Sequence, residues 1–187
     1  MHEEGQGIAY KQSPNHSSRE KQDTISIVIH YTGAGSAKGS VSWLCNPASK
    51  VSAHFVVNRK GGITQLVDLN RAAWHAGDRK INQSSIGIEL ANHGCLIQRQ
   101  NKFYYQLGRR LFRYRGVVPV YGVLKYGNGL EVSGMWEPYT EAQLHALKSL
   151  LSVLPDVPIV GHSEIAHPPG RKRDPGPLFP WEFFRGD

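Results

Sequence analysis

The sequence predicts a single α/β domain with a central mixed β-sheet and helices on its faces. Three observations lead to this fold class. The chain has 187 residues, of which 40% are hydrophobic, and this size favours one well-buried core over two full domains. Several short runs are apolar and β-branched, as buried strands are. A later segment repeats its apolar residues at intervals of three and four, which is typical of a helix packed on a sheet.

The elements can be assigned in order along the chain. Residues 1–22 are polar and lack periodicity, so we expect an irregular lead-in before a domain spanning residues 23–187. The β-branched run from Thr24 to His30 is a candidate buried strand. The elements expected next are a short helix at 39–46, strands at 53–57 and 63–67 joined by the Gly-rich turn 58–62, and a strand at 85–90.

Helical periodicity returns near the C-terminal end. A helix is predicted from Thr140, because Thr140 and Gln143 have the spacing of a capping box and leucines then recur on one face. Pro155 ends this helix. A short strand at 158–161 should deliver His162 into a tail rich in Pro and Gly.

Positive charge is concentrated in one segment. The chain has 22 Lys and Arg residues and 15 Asp and Glu residues, which gives a net charge of +7. Residues 93–136 contain seven of the Lys and Arg residues but only one acidic residue, Glu131. The segment is also rich in Tyr, and we expect an inserted lobe or long loops. Interleaved Arg and Tyr fit a nucleic-acid surface, a site for another anionic ligand, or a solvated lobe without a ligand.

Other features narrow the class of protein. No apolar run approaches the roughly 20 residues that a membrane-spanning helix needs, so no membrane insertion is expected. The first residues are acidic where a signal peptide is basic, which favours a cytoplasmic location. The two cysteines, Cys45 and Cys95, form no CxxC pair, so a disulfide scaffold is not expected.

Potential metal ligands stand at the ends of two predicted strands. His30 and His162 each stand at the C-terminal end of an apolar strand, and Asp174 follows twelve residues after His162 in a Pro- and Gly-rich loop. Two imidazoles and one carboxylate suffice for a catalytic zinc, which keeps a fourth position open. The alternative is that the histidines are a strand cap and a surface residue, and that Asp174 opens a turn.

Five segments resemble one known family. The sequences IVIHYTG, VSAHFVVNRKG, AAWHAG, SIGIELAN and GHSEIAHPPGRKRDPGPLFPW occur in the order and nearly the wording of the bacterial type 2 N-acetylmuramoyl-L-alanine amidases, which are related to the peptidoglycan recognition proteins. The resemblance implies zinc ligands at His30, His162 and Asp174. It also places the family's catalytic glutamate on Glu89 and its basic active-site residue on Lys172.

The resemblance implies hydrolysis of the amide between N-acetylmuramic acid and L-alanine in peptidoglycan or muropeptides. Zinc would activate water and polarise the carbonyl, Glu89 would act as general base, and Lys172 would stabilise the oxyanion. Trp74, His75 and Asn92 are candidate substrate-binding residues. Peptidoglycan or a muropeptide is the expected partner, and nucleic acid is not.

Some alternatives stay open at this level. A non-catalytic peptidoglycan-binding module is one rival, and a nucleic-acid-binding protein dominated by its basic segment is another. The loop between the last two ligands departs from the family pattern, with Glu164 for an aspartate and an added His167 that can compete as a ligand. The sequence leaves open whether the chain recycles anhydro-muropeptides or acts on intact cell wall as a phage-type lysin.

Overall fold

The computed structural model describes residues 7–19 and 23–185. Its strands are β1 (Ala9–Tyr10), β2 (His16–Ser18), β3 (Ser26–Tyr31), β4 (Phe55–Val57), β5 (Ile63–Gln65), β6 (Arg71–Ala73), β7 (Ser85–Leu90), β8 (Cys95–Arg99), β9 (Lys102–Leu107), β10 (Arg110–Arg113), β11 (Val120–Lys125), β12 (Glu131–Trp136) and β13 (Ile159–Gly161). Its α-helices are α1 (Ala37–Leu44), α2 (Arg79–Ser84), α3 (Glu141–Leu151), α4 (His162–Ile165) and α5 (Trp181–Arg185).

The central sheet has six strands in the order β1-β5-β4-β7-β3-β13. Strands β4, β7, β3 and β13 run parallel to one another, whereas β5 is antiparallel to β4. The predicted mixed sheet is therefore confirmed. The expected hairpin joins β4 to β5, and its turn is closed by the Asn58 side chain, whose Oδ1 accepts hydrogen bonds from the backbone N–H groups of Lys60 and Gly62.

The two faces of this sheet have different tasks. Because alternate side chains of a strand point to opposite faces, Ile29 and Ile88 face α3 and pack with its Leu147 and Leu150. Burial of each such leucine stabilises the fold by about 1.5–3 kcal/mol. The opposite face packs partly against α1 and also carries the next residues of the strands, among them His30. The apolar face therefore anchors the sheet while the other is available for chemistry.

Helix α3 begins where the sequence predicts, but half of the expected cap is absent. The Thr140 hydroxyl accepts a hydrogen bond from the Gln143 backbone N–H. The Gln143 side chain does not return the bond; it is fully buried and donates to the carbonyl oxygens of Val57 and Ala91. A buried donor left without an acceptor would cost about 1–3 kcal/mol, and these two carbonyl groups avoid that cost. This glutamine therefore ties α3 to the sheet.

The described part of the lead-in has regular structure. Strand β1 pairs with β5, and β2 pairs with β6 in a small second sheet. Asn15 is buried and donates to the carbonyl oxygens of Asn46 and Val51. Such polar contacts leave no hydropathy period, which is why the sequence predicted an irregular segment. Residues 1–6 and 20–22 of that lead-in lie outside the described residues.

The basic segment forms a five-stranded antiparallel sheet in the order β10-β9-β8-β12-β11, called here the lobe (residues 95–136). The sequence predicts an inserted lobe or long loops here, but no individual strands. The strands escape sequence analysis because period-two hydropathy requires one buried face. All four residues of β10 are exposed.

A buried ionic cluster around Glu137 fastens the lobe to the rest of the domain. The Glu137 carboxylate accepts hydrogen bonds from the His93 backbone N–H at 2.6 Å and from the Tyr114 hydroxyl at 3.1 Å. Arg59 Nη1, from the β4–β5 turn, lies 3.3 Å away. Burial raises the pKa of Glu137, but the contacts with His93 and Arg59 outweigh burial and lower the pKa overall from its ordinary 4.5.

Replacing Glu137 with glutamine should destabilise the protein in a pH-dependent way. A group whose pKa is lower in the folded state contributes stability above its unfolded pKa, and that contribution disappears as the pH falls through the folded pKa. At pH 7 we expect Glu137→Gln to lower the free energy of unfolding by about 3 kcal/mol, as breaking a buried ion pair does. Urea denaturation at pH 7 and below pH 4 should show this difference shrinking in acid; an equal difference at both pH values would contradict the prediction.

Candidate active site

Three side chains that are far apart in sequence meet at the carboxyl ends of β3 and β13. His30 is the fifth residue of β3 and His162 follows β13 directly. Since these strands are parallel neighbours, the two rings come together. The Ser163 backbone N–H donates to the Asp174 carbonyl oxygen at 2.8 Å and so brings the later loop back to the strand end. The structure thus assembles the three residues that the sequence nominated as ligands.

The ligand atoms of this cluster form a tight triangle. His30 Nδ1 lies 2.9 Å from both His162 Nδ1 and Asp174 Oδ2, and the latter two atoms are also 2.9 Å apart. All three residues are buried. Burial by itself raises the pKa of Asp174, but hydrogen bonds with His162 and His30 outweigh burial and hold the pKa below its ordinary value.

The donor set fits a metal ion. Two imidazole nitrogens and one carboxylate oxygen are ligands that zinc prefers, and at bond lengths of roughly 2.0–2.1 Å tetrahedral ligands lie about 3.3 Å apart. The 2.9 Å separations are close to that value. Within residues 7–19 and 23–185, this is the one group of three or more His, Cys, Asp or Glu side chains placed to hold a metal ion.

Glu89 stands beside this cluster on the neighbouring strand. It pairs with His30 in the register of β7 and β3, and its side chain lines the same cleft. Among the described residues no group hydrogen-bonds to its buried Oε2. Burial, with a smaller contribution from Asp174, raises the pKa of Glu89 to about 8, against the opposing effect of Lys172. A carboxyl group with a pKa near neutrality can both accept and return a proton.

Lys172 lines the cleft and is half-buried, two residues before Asp174. Its positive charge lowers the pKa of both Glu89 and His30. The Tyr126 hydroxyl of the lobe donates to the Lys172 carbonyl oxygen at 2.8 Å. The lobe therefore helps to position the loop that carries this cation and the third candidate ligand.

His75 lies behind the cluster, in a hydrogen-bonded chain. Its Nδ1 is 3.0 Å from His30 Nε2, and its Nε2 is 3.1 Å from Ser85 Oγ. The Ser85 hydroxyl donates its proton to the Ile81 carbonyl oxygen, so Ser85 Oγ must accept from His75 Nε2–H. Burial lowers the pKa of His75 well below its ordinary value and favours the neutral ring. His75 Nδ1 then accepts from His30 Nε2–H.

This chain of bonds selects one tautomer of His30. With its proton on Nε2, His30 presents an unprotonated Nδ1 to His162 and Asp174, which is the form a metal ligand requires. His75 lines the cleft, as the sequence predicts, but both of its ring nitrogens are bonded within the protein. The geometry therefore gives His75 a positioning role.

Gly87 makes room for the His75 ring. A Cβ at position 87 would lie 2.4 Å from His75 Cγ, closer than atoms in contact can approach. We expect Gly87→Ala to displace His75, release the Nε2 proton of His30 from its acceptor, and weaken metal binding by about 10- to 100-fold. Competition with a chromogenic chelator measures this affinity directly.

Gly127→Ala is the matched control, because a Cβ there meets no atom within 4 Å. Thermal unfolding of both variants separates lost metal affinity from lost folding. Equal metal affinity in Gly87→Ala and the parent protein would show that His75 does not position His30.

The other residues singled out from the sequence lie in different surroundings. Trp74 lines the cleft, as expected. Asn92 does not: it is 1% exposed, its amide nitrogen donates to the Glu137 carbonyl oxygen, and its Oδ1 accepts from the Gly94 N–H. The side-chain amide of Asn92 is hydrogen-bonded to backbone groups next to the lobe and is not available to bind substrate. His167 is exposed and lies outside the ligand cluster.

The cleft has a volume of about 1370 Å³ and extends beyond the residues named from the sequence. Trp43 of α1 and Tyr105 of β9 also line it. Tyr105 is one of several tyrosines in the basic segment, and nothing in the local sequence sets it apart. The exposed fraction of Trp43 is 58%, and no hydropathy signal distinguishes such a residue from a core tryptophan.

These features define a class of protein: an α/β enzyme with a potential metal-ligand cluster and a buried carboxyl group at the ends of its sheet strands. A family model described as N-acetylmuramoyl-L-alanine amidase matches residues 20–177. N-acetylmuramoyl-L-alanine amidase A of Achromobacter lyticus is 30% identical over 171 residues, covering 90% of this chain and 85% of that protein. The chain belongs to the N-acetylmuramoyl-L-alanine amidase family.

Further relatives agree with this assignment. AmiD of Escherichia coli K12 is 31% identical over 175 residues, covering 83% of this chain and 50% of that protein. The solved complex of E. coli AmiD with the substrate anhydro-N-acetylmuramic acid-L-Ala-D-gamma-Glu-L-Lys matches with a TM-score of 0.57 and 28% identity, covering 94% of this chain and 60% of that chain. The chain thus spans half to three-fifths of AmiD. None of the helices in the described ranges has the length and apolar character required to cross a bilayer.

Proposed function

We propose that this chain hydrolyses the amide bond between the lactyl group of N-acetylmuramic acid and the L-alanine of the stem peptide, with zinc held by His30, His162 and Asp174. The observation that carries the proposal is the convergence of these three side chains with Glu89 in one cleft. When bound, zinc supplies Lewis-acid activation of water and of the scissile carbonyl. The buried N,N,O donor set suits that ion.

The residues around the cluster have complementary tasks in this proposal. Glu89 accepts a proton from the attacking water on Oε2, which has no hydrogen-bond partner among the described residues, and returns it to the leaving amine of L-alanine. Lys172 faces the cleft and stabilises the negative charge that develops on the carbonyl oxygen. His75 keeps His30 in the ligating tautomer. Trp74 offers an apolar face to the substrate.

The test is digestion of a defined substrate with and without chelator. Purified protein, assayed for zinc by elemental analysis, is incubated with anhydro-N-acetylmuramic acid-L-Ala-D-gamma-Glu-L-Lys, and the products are identified by mass spectrometry. Release of free tripeptide that stops on chelation and resumes on addition of zinc is the expected result. Cleavage by zinc-free protein would overturn the proposed mechanism, and binding without cleavage by zinc-loaded protein would overturn the proposed activity.

A further inference from the structure

The cleft does not end at the candidate metal cluster but continues onto the lobe. Tyr105, Leu107 and Val117 of the lobe line the same cleft as His30 and Glu89. Leu107 and Val117 are 53% and 48% exposed, so about half of each residue stays open to solvent. Trp43, on α1, contributes a largely exposed ring to the same cleft. Apolar groups therefore line the part of the cleft that the lobe builds.

Tyr105 is held in place before any ligand arrives. Antiparallel pairing sets it opposite Phe112, and the two rings stack at 5.5 Å between centroids with a 20° interplanar angle. The His93 ring packs against Tyr105 at 4.3 Å. His93 is itself fixed, because Glu137 bonds its backbone N–H and lies 2.8 Å from its Nδ1. A ring ordered in advance loses little conformational entropy on binding a ligand.

Charge differs between the two regions of the cleft. Three cations line the cleft in the loop that carries Asp174, the third candidate ligand: Arg171, Lys172 and Arg173. On the lobe side, the charge of Arg59 is balanced by Glu137 at 3.3 Å, and the remaining lining groups of the lobe carry no charge. The stem peptide of peptidoglycan bears carboxylates, whereas its N-acetylated sugars are neutral and have apolar ring faces.

We propose that the cleft-facing side of the lobe, centred on Tyr105, is a binding site for the glycan chain of peptidoglycan. The inference rests on the proposed function and extends it to the substrate class. The neutral aromatic surface is complementary to sugar rings, while the cationic loop is complementary to the stem peptide. Sugar units next to the one at the scissile bond lie on the lobe, and the chain therefore favours stem peptides still attached to a glycan strand over muropeptides with a single sugar.

The kinetic test compares Tyr105→Ala with Tyr104→Ala. Tyr104 is the matched control: it precedes Tyr105 on β9, so its side chain points to the opposite face of the strand, and it does not line the cleft. Each variant is assayed on anhydro-N-acetylmuramic acid-L-Ala-D-gamma-Glu-L-Lys and on soluble glycan strands of several disaccharides with stem peptides. We expect Tyr105→Ala to lower the ratio of kcat/KM on strands to that on the single-sugar substrate by roughly 2- to 10-fold. Tyr104→Ala should leave the ratio unchanged.

A binding measurement without turnover completes the test. A β-1,4-linked tetramer of N-acetylglucosamine, which has no peptide, is titrated into the parent protein and each variant by NMR. We expect the tetramer to shift resonances of the lobe. Tyr105→Ala should raise the Kd for the tetramer by a similar factor, and Tyr105→Phe, which keeps the ring, should bind the tetramer as the parent protein does. No binding of the tetramer to the parent protein, or an unchanged substrate ratio in Tyr105→Ala, would overturn the glycan site.

These outcomes are distinguishable from failure of the proposed function. If the amidase activity is wrong, the parent protein cleaves neither substrate, whatever the tetramer does. If only the glycan site is wrong, the parent protein cleaves both substrates and Tyr105→Ala changes the two rates by the same factor. That second pattern would mean that the stem peptide occupies the lobe or that Tyr105 only supports the fold.

Discussion

Glu89→Gln should retain zinc and lose turnover. Glutamine has nearly the size of glutamate and also reaches the cleft, but it cannot accept and return a proton, so we expect kcat to fall by about 10²- to 10⁴-fold. The candidate ligands are untouched by this change, because Glu89 bonds to none of them among the described contacts. Elemental analysis should therefore find the same zinc content as in the parent protein, and steady-state assays on the single-sugar substrate should show the loss in kcat.

Glu131→Gln is a suitable control for the loss of a carboxylate. Glu131 lies on the lobe, is largely exposed, and pairs with Lys125 at 3.3 Å. Its replacement should change kcat by less than a factor of two, as exposed ion pairs contribute little. A Glu89→Gln protein with full activity would remove the proposed proton acceptor, and another cleft residue would have to take that role.

His162→Ala should lose both zinc and activity. Removing one of three protein ligands leaves His30 and Asp174, which do not make a stable site, so we expect the affinity for zinc to fall by more than about 100-fold, beyond the loss typical of groups behind a ligand. Activity should fall with zinc occupancy. Chelator competition measures the first quantity, and the muropeptide assay at several zinc concentrations measures the second.

His145→Ala controls for the loss of a histidine. His145 is exposed on α3, on the side of the sheet away from the cluster. Zinc content and activity should stay at the level of the parent protein. Stoichiometric zinc bound to His162→Ala with undiminished affinity would contradict the assignment of this ligand.

The sequence was informative where chemistry coincides with a strand end. His30 and His162 were nominated because apolar runs terminate at them, and the structure places both at adjacent strand ends. Strand β7 was bounded correctly at Ser85–Leu90, since a β-branched and apolar run stops there. The roles of Glu89 and Lys172 came from family resemblance, because a single carboxylate or lysine has no local pattern that marks it as catalytic.

Several features depend on contacts that no local pattern records. The role of His75 follows from ring nitrogens that meet His30 and Ser85, residues 45 and 10 positions away. Asn92 resembled a substrate contact from its place after β7, but its amide is consumed by backbone groups. The strands of the lobe were not predicted because much of the lobe is exposed. Which of its residues face the cleft depends on the register of its strands, and no local pattern records that register.

The position of β13 links catalysis to the margin of the sheet. This three-residue strand is the outermost of the central sheet and is held through β3, and His162 and Asp174 both follow it. Opening of this margin alone would carry away two of the three candidate ligands while the packing of α3 against the interior strands remained. A zinc ion held as proposed would join the margin to His30, so removing the ion should let limited proteolysis or mild heating open the margin before the core melts.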